Sequence, residues 1–189
     1  MAQSQHSISL LDTQSLENLE KARVAIVHTE WNDKIVREQI NGCESIINRF
    51  NGTITDKLAV PGCFELPFAI KQLWYNYAGI KAMKETTIGF KPATDADSGG
   101  KANRPEAIIA FGVVIRGGTP HFDYVCKAVT DGILQLNLVL PVPVIFGVLT
   151  LDNEDQAWER LGGIHGHKGE EAAITALKMI KMNRKLTGK

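Results

Sequence analysis

The sequence has no excess of charge of either sign: 21 Lys and Arg balance 21 Asp and Glu in 189 residues. Without a basic surplus there is no electrostatic footprint for nucleic acid. Near-zero net charge also gives weak colloidal repulsion, which a stable oligomer tolerates better than a lone monomer. Cysteine is scarce too. Cys43, Cys63 and Cys126 are far apart, odd in number and form no CxxC pair. Free thiols in a reducing cytoplasm are the expectation. No long apolar run is present. The longest, Val139 to Leu149, holds two prolines and is too short to span a bilayer, and the polar N-terminus has no signal-peptide core. Neither GxGxxG nor GxxxxGK[ST] occurs, so neither a dinucleotide nor a P-loop nucleotide is indicated.

What the chain does have is enough apolar sequence for one core, 44% hydrophobic against 22% charged. Four short apolar runs alternate with helical patterns. Ala22 to Val27 reads as a buried strand. Asn32 then stands as an N-cap before a helix with Ile35, Val36, Ile40, Cys43, Ile46, Ile47 and Phe50 at three-and-four spacing. Thr53 to Val60 is a second strand, followed by a helix from about Leu66 to Met83. Ala107 to Ile115 is the third strand, and its helix runs from about Pro120 through Leu138. Val144 to Thr150 is the fourth. A short helix capped by Asp152 or Asn153 and carrying Ala157, Trp158 and Leu161 follows, and a last helix runs from Glu170 to about Leu186. Strand–helix alternation predicts an α/β three-layer sandwich, a doubly wound, flavodoxin-like fold around a four-stranded parallel sheet. Residues 1–21 form an arm or a disordered tail, and 22–186 a single domain. Residues 85–105, rich in Gly, Pro, Asp and Ser, read as a disordered insertion.

In such sheets ligands collect beyond the carboxyl ends of the strands. Those ends offer Trp31-Asn32, then Gly62-Cys63-Phe64-Glu65, then Arg116 to His121, and Thr150 to Asp152. Gly117-Gly118-Thr119 at a strand-to-helix turn makes an anion nest or a tight corner. His121 just beyond is either a proton carrier or a helix-start residue bonded to backbone. Glu65 either favours a helix dipole or binds a ligand N–H. Trp31 is a stacking platform for a flat heterocycle or a half-buried core residue. His165 and His167 are the only candidate metal pair and lack a suitably spaced acidic or sulfur ligand, so no metal site is expected. Arg160 and Lys168 bracket that glycine-rich turn and can meet an anion or merely a helix end.

Four motifs in order, VPGCFELP (Val60 to Pro67), GVVIRGGTPHFDYV (Gly112 to Val125), PVIFGVLT (Pro143 to Thr150) and QAWERLGGIHGHKGEEAA (Gln156 to Ala173), resemble the 6,7-dimethyl-8-ribityllumazine synthase family. The resemblance covers nearly all of residues 22–186. It implies condensation of 5-amino-6-(D-ribitylamino)uracil with 3,4-dihydroxy-2-butanone 4-phosphate, with release of phosphate and water and no metal or organic cofactor. It implies further that Trp31 stacks on the pyrimidine, where many relatives have Phe. Cys63, Phe64 and Glu65 meet the pyrimidine and the ribityl chain, and the backbone of Val113, Val114 and Ile115 lines the ring. Gly118 and Thr119 receive the phosphate together with Arg160, and His121 moves protons. Phe146 and Lys168 complete a neighbouring subunit's pocket. Arg116 receives no catalytic role.

Relatives form pentamers with active sites between subunits, some stacked into a closed shell, and a free pentamer is expected here. Cys63 and Gly118 replace other small residues usual at those positions. The wider Trp31 surface implies tight flavin binding, and residues 85–105 resemble insertions in fungal members. A non-catalytic flavin-binding protein on this fold would keep Trp31 and Glu65 without needing His121, Arg160 and Lys168 together. A purely structural shell subunit would need neither nest nor imidazole. Fold alone separates none of these.

Overall fold

A computed structural model of the chain describes residues 13–17, 19, 21–78 and 103–188. The strands β1 (Arg23–Thr29), β2 (Thr53–Val60), β3 (Ala107–Ile115) and β4 (Val144–Leu151) pair in the order β2-β1-β3-β4, all parallel. The four-stranded sheet expected from the alternation is therefore present. Because side chains alternate across a strand, β1 and β3 feed two cores. Val24, Ile26, Ile109 and Phe111 face one side, and Ala25, Val27, Ile108 and Ala110 the other.

On the first face lie α1 (Asp33–Arg49) and α5 (Lys168–Thr187). On the second lie α2 (Leu66–Ala78) and α3 (His121–Val139). Helix α1 presents the apolar stripe that its spacing predicted, with Ile35, Val36, Ile40, Cys43, Ile46 and Ile47 buried as a set. Part of the N-terminal arm joins the first core, where Leu16 and Leu19 are buried. Residues 85–102 of the expected insertion lie outside the described residues, as do 1–12, 18 and 20 of the arm.

Two contacts bring α5 onto α1. A Cβ at Gly169 would stand 2.0 Å from the Gln39 carbonyl oxygen, and one at Gly42 would stand 2.2 Å from the His167 ring. Only glycine leaves room for backbone at the first position and for the imidazole at the second. Gln39, fully buried, donates from Nε2 to the Gly147 carbonyl at 2.7 Å and so ties α1 to β4. At the amino end of the sheet Glu106 receives Arg184 through two hydrogen bonds of 2.8 Å and also accepts from the Arg23 amide at 3.1 Å. Burial alone would raise the Glu106 carboxyl, but Arg184 and then Arg23 outweigh it and hold it below the ordinary carboxylate value.

Several local expectations change. β1 runs two residues further, to Thr29, because Thr29 is buried and still pairs with Val60. The short helix α4 (Asp155–Trp158) stops before Leu161, which instead starts a small hairpin, β5 (Leu161–Gly163) and β6 (Gly166–His167). Gly162 and Gly166 have φ of +104° and +73°, values that favour glycine, and this is how the chain reverses there. α5 begins at Lys168 rather than Glu170, with His167 accepting a hydrogen bond from the Glu170 amide as its cap.

Candidate active site

The carboxyl ends of β1, β2 and β3 surround a cleft of about 560 Å³, a volume suited to a small-molecule ligand. It opens beside the point where the strand order reverses between β1 and β3, the usual place for a ligand in a doubly wound sheet. Trp31 forms one wall and is 72% exposed, so its ring faces open space rather than core. Its backbone is anchored on both sides. The Trp31 amide donates to the Pro61 carbonyl at 3.3 Å, and its carbonyl accepts from the buried Thr29 hydroxyl at 3.2 Å. Asn32 does not cap α1 with its side chain as the sequence suggested. Its φ of +59° turns the amide toward β3, where Nδ2 donates to the Val113 carbonyl at 3.0 Å.

The opposite wall comes from the turn after β2. Gly62 is extended, and Cys63–Glu65 form a single 3-10 turn leading into α2. A Cβ at Gly62 would stand 3.2 Å from Glu65 Oε2 and 3.8 Å from Trp31 Cδ1, so carboxylate and indole meet over bare backbone. Cys63 lies under the cleft, close against Gly112 of β3. Burial pushes its thiol up to about 12, with the nearby Cys126 adding to the rise, so it has no thiolate character at neutral pH. Val113, Val114 and Ile115 line the floor, and His121, the first residue of α3, closes the end. Gly118 and Thr119 are exposed on the connecting loop and are not among the lining residues.

The basic residues lie elsewhere. The lining of the first cleft contains Glu65 and His121 but no Lys or Arg among the described residues. Arg160, Lys168 and Phe146 line a second cleft of about 520 Å³ along β4 and α5. Lys168 Nζ is bonded to both Glu171 oxygens, at 2.7 and 2.9 Å, and both side chains are largely covered. The Lys168 amide donates to the Arg160 carbonyl at 2.8 Å, and Arg160 Nη1 donates to the Gln156 carbonyl at 3.0 Å. One chain therefore brings Trp31, Cys63, Phe64, Glu65, Val113 to Ile115 and His121 together, and separates them from Arg160, Lys168 and Phe146.

Glu171 escaped the sequence reading, although its three-residue spacing from Lys168 on a helix is the signal for such a pair. Asn32 stands at the expected N-cap position, but its side chain bonds Val113 rather than the helix amides. His165 lies 3.9 Å from Glu159, and His167 lies 3.5 Å from Glu38 while capping α5. Among the described residues no group of three or more His, Cys, Asp or Glu side chains can hold a metal ion.

A family model described as 6,7-dimethyl-8-ribityllumazine synthase matches residues 21–184. The chain is 37% identical to a 6,7-dimethyl-8-ribityllumazine synthase of Phocaeicola vulgatus over 188 residues, 98% of this chain and 96% of that protein. The same name belongs to a relative in Porphyromonas gingivalis, 38% identical across 97% of this chain and 99% of its own. One in Streptomyces coelicolor is 39% identical across 86% of each. These relatives are bacterial, so they do not support the expected likeness of residues 85–105 to fungal insertions. With the fold, the motif order and these matches in agreement, the chain belongs to the 6,7-dimethyl-8-ribityllumazine synthase family.

Proposed function

We propose that the protein is a lumazine synthase of riboflavin biosynthesis, a transferase that condenses the ribitylaminouracil with the butanone phosphate to form 6,7-dimethyl-8-ribityllumazine. The observation that carries the assignment is the convergence of an exposed aromatic face, a carboxylate, a bare strand floor and an imidazole in one cleft. In this reading Trp31 stacks on the pyrimidine, and Glu65 accepts from a ligand N–H. Cys63 and Phe64 shape the wall, and Val113, Val114 and Ile115 offer backbone groups to the ring edge.

The chemistry assigns the remaining roles. The primary amine attacks the ketone, water leaves, and an imine forms; His121 carries the protons that these steps exchange. A proton then leaves the carbon beside the imine, the carbon–oxygen bond to phosphate breaks to give an enol, and charge on the leaving group is met by Arg160 with the amides of Gly118 and Thr119. Finally the enol takes a proton to become a ketone, and the ribitylamino nitrogen closes the ring on that carbonyl carbon with loss of a second water, a step that depends mainly on positioning. No covalent bond to the protein is needed at any stage, which accords with a Cys63 thiol held protonated. Lys168 is oriented by Glu171 and, with Phe146, completes the pocket of an adjacent subunit.

A phosphate substrate needs cations that the first cleft does not contain, whereas the second cleft presents Arg160 and Lys168. This favours an assembly in which the β4 edge of one subunit closes the cleft of the next, and we assign a homopentamer in the cytoplasm. Large exposed apolar side chains such as Tyr124, Leu134, Leu138 and Phe146 supply surface for that contact. No helix among the described residues is long and apolar enough to cross a membrane. Residues 22–186 form the catalytic domain in this reading, with 1–21 an arm and 85–105 an insertion.

The test is to supply both substrates to the purified protein and follow lumazine fluorescence and phosphate release. Stoichiometric appearance of both is expected, and no product above the uncatalysed background would refute the assignment. Sedimentation as a species other than a pentamer would refute the assembly.

A further inference from the structure

Arg116, the charge left without a role, stands at the end of β3 between the two clefts. Its Nε donates to Asp152 Oδ1 at 2.9 Å, just past the end of β4, and its Nη1 donates to Asp123 Oδ1 at 3.3 Å, in the first turn of α3. The guanidinium carbon also lies 4.0 Å from the centroid of the Phe122 ring, a cation–π contact on the same helix turn. Its own amide donates to the Leu151 carbonyl at 2.8 Å.

The path continues beyond Asp152. The Asp152 amide donates to Gln156 Oε1 at 2.9 Å, and the Gln156 carbonyl accepts from Arg160 Nη1 at 3.0 Å. Gln156 is itself oriented by its amide bond to Asn153 Oδ1 at 3.1 Å. Hydrogen bonds, joined through the Asp152 and Gln156 residues themselves, thus link the helix turn bearing His121 to Arg160 by way of Arg116. The loop they bracket is open on its outer side, where a Cβ at either Gly117 or Gly118 would meet nothing within 4 Å.

We propose that Arg116 is a positioning residue that holds both the His121 turn of this chain's own cleft and the Arg160 guanidinium that the same chain offers to its neighbour's cleft. The proposal deepens the catalytic reading above and rests on it for the roles of His121 and Arg160. The planar, forked guanidinium suits this task, because it addresses two carboxylates on different elements while stacking on a ring. Lysine is a point charge and can satisfy only one partner well. All three charged groups are exposed, and exposed pairs contribute little to global stability. The consequence therefore falls on geometry rather than on folding, and small misplacements of catalytic groups are costly in rate.

The experiment compares Arg116→Gln, Arg116→Lys, Asp152→Asn and Arg160→Ala in the full-length assembly. Lys57→Gln, which breaks an exposed pair with Glu44 on the edge strand β2, is the control. Hydrogen exchange is measured on peptides covering 116–123 and 152–160, together with Tm and the KM of each substrate. Arg116→Gln is expected to speed exchange in both peptides at least about three-fold, leaving the rest of the molecule and Tm unchanged. The KM for butanone phosphate rises about ten-fold while that for the ribitylaminouracil holds, and Arg116→Lys recovers part of the loss. Adding Arg116→Gln to Arg160→Ala raises that KM no further, because the path then has no far end.

Unchanged exchange in the 152–160 peptide would overturn the proposal. So would multiplicative effects in the double variant, or parallel loss of Tm and both affinities. If Arg160→Ala leaves the phosphate substrate's KM intact while exchange still rises in both peptides, the positioning stands and the catalytic reading of Arg160 falls.

Discussion

Gly112→Ala tests whether the floor of the first cleft is as tightly built as its geometry says. The added methyl would stand 2.6 Å from Cys63 Sγ, 3.0 Å from Thr29 Cγ2 and 3.4 Å from Thr29 Oγ1. Unstrained non-bonded carbon contacts lie at about 3.5–4.0 Å, so the sulfur has to retreat by about 1 Å. It has little room, since Cys63 is buried and Thr29 is held by its bond to the Trp31 carbonyl. Overpacking of this kind costs about 1–3 kcal/mol. In a domain of this size each kcal/mol lowers Tm by about 2–4 °C, which gives a fall of about 2–12 °C.

The disturbance passes to Trp31 through Thr29, so the KM for the ribitylaminouracil rises more than that for butanone phosphate. Cys63→Ala removes the clashing sulfur. Alone it destabilises through the cavity it leaves, but combined with Gly112→Ala it restores at least half of the lost Tm, a coupling expected of touching residues. Scanning calorimetry of the two single variants and the double variant, with steady-state kinetics, measures all of this. A Gly112→Ala Tm within about 1 °C of the parent, or strictly additive losses, would refute the reasoning.

Three further outcomes follow from other sites. Trp31→Phe weakens riboflavin binding about three- to ten-fold, the loss of roughly 1 kcal/mol of stacking surface. Because Trp31 is exposed, Tm stays unchanged; calorimetric titration finding equal affinities would exclude the platform. Glu106→Gln removes stability whose sign follows from a lowered native carboxyl. The parent's advantage is complete above the unfolded carboxylate value near about 4.3 and is lost as pH falls through the lower native value. Urea melts of both proteins across acidic pH should therefore converge at the acid end, and a constant gap would contradict the assigned charge contacts. Cys63, with its thiol pushed up to about 12, stays unlabelled by iodoacetamide in the folded protein at about pH 8 and reacts on unfolding. Rapid native labelling located to Cys63 by peptide mass would show that the floor opens.

The chain alone determined the order and type of the main elements. Apolar runs such as that of β3 and three-and-four spacing such as that of α1 are set by backbone period and water, independently of distant residues. Sequence likewise pointed to the strand ends and to most of the residues that line the first cleft, although Gly118 and Thr119 lie outside that lining. Tertiary structure decided the contacts that join separated segments. It aimed the side chain of the cap residue Asn32 at Val113 rather than at the helix amides, because its backbone is left-handed. Tertiary packing also set Gly112 against Cys63, whereas the Lys168–Glu171 pair is local to one helix turn. It set His121 and Arg160 in different clefts, a separation that no linear motif encodes. And it gave Arg116 three partners drawn from α3 and the end of β4, which only the parallel register of β3 and β4 brings within reach.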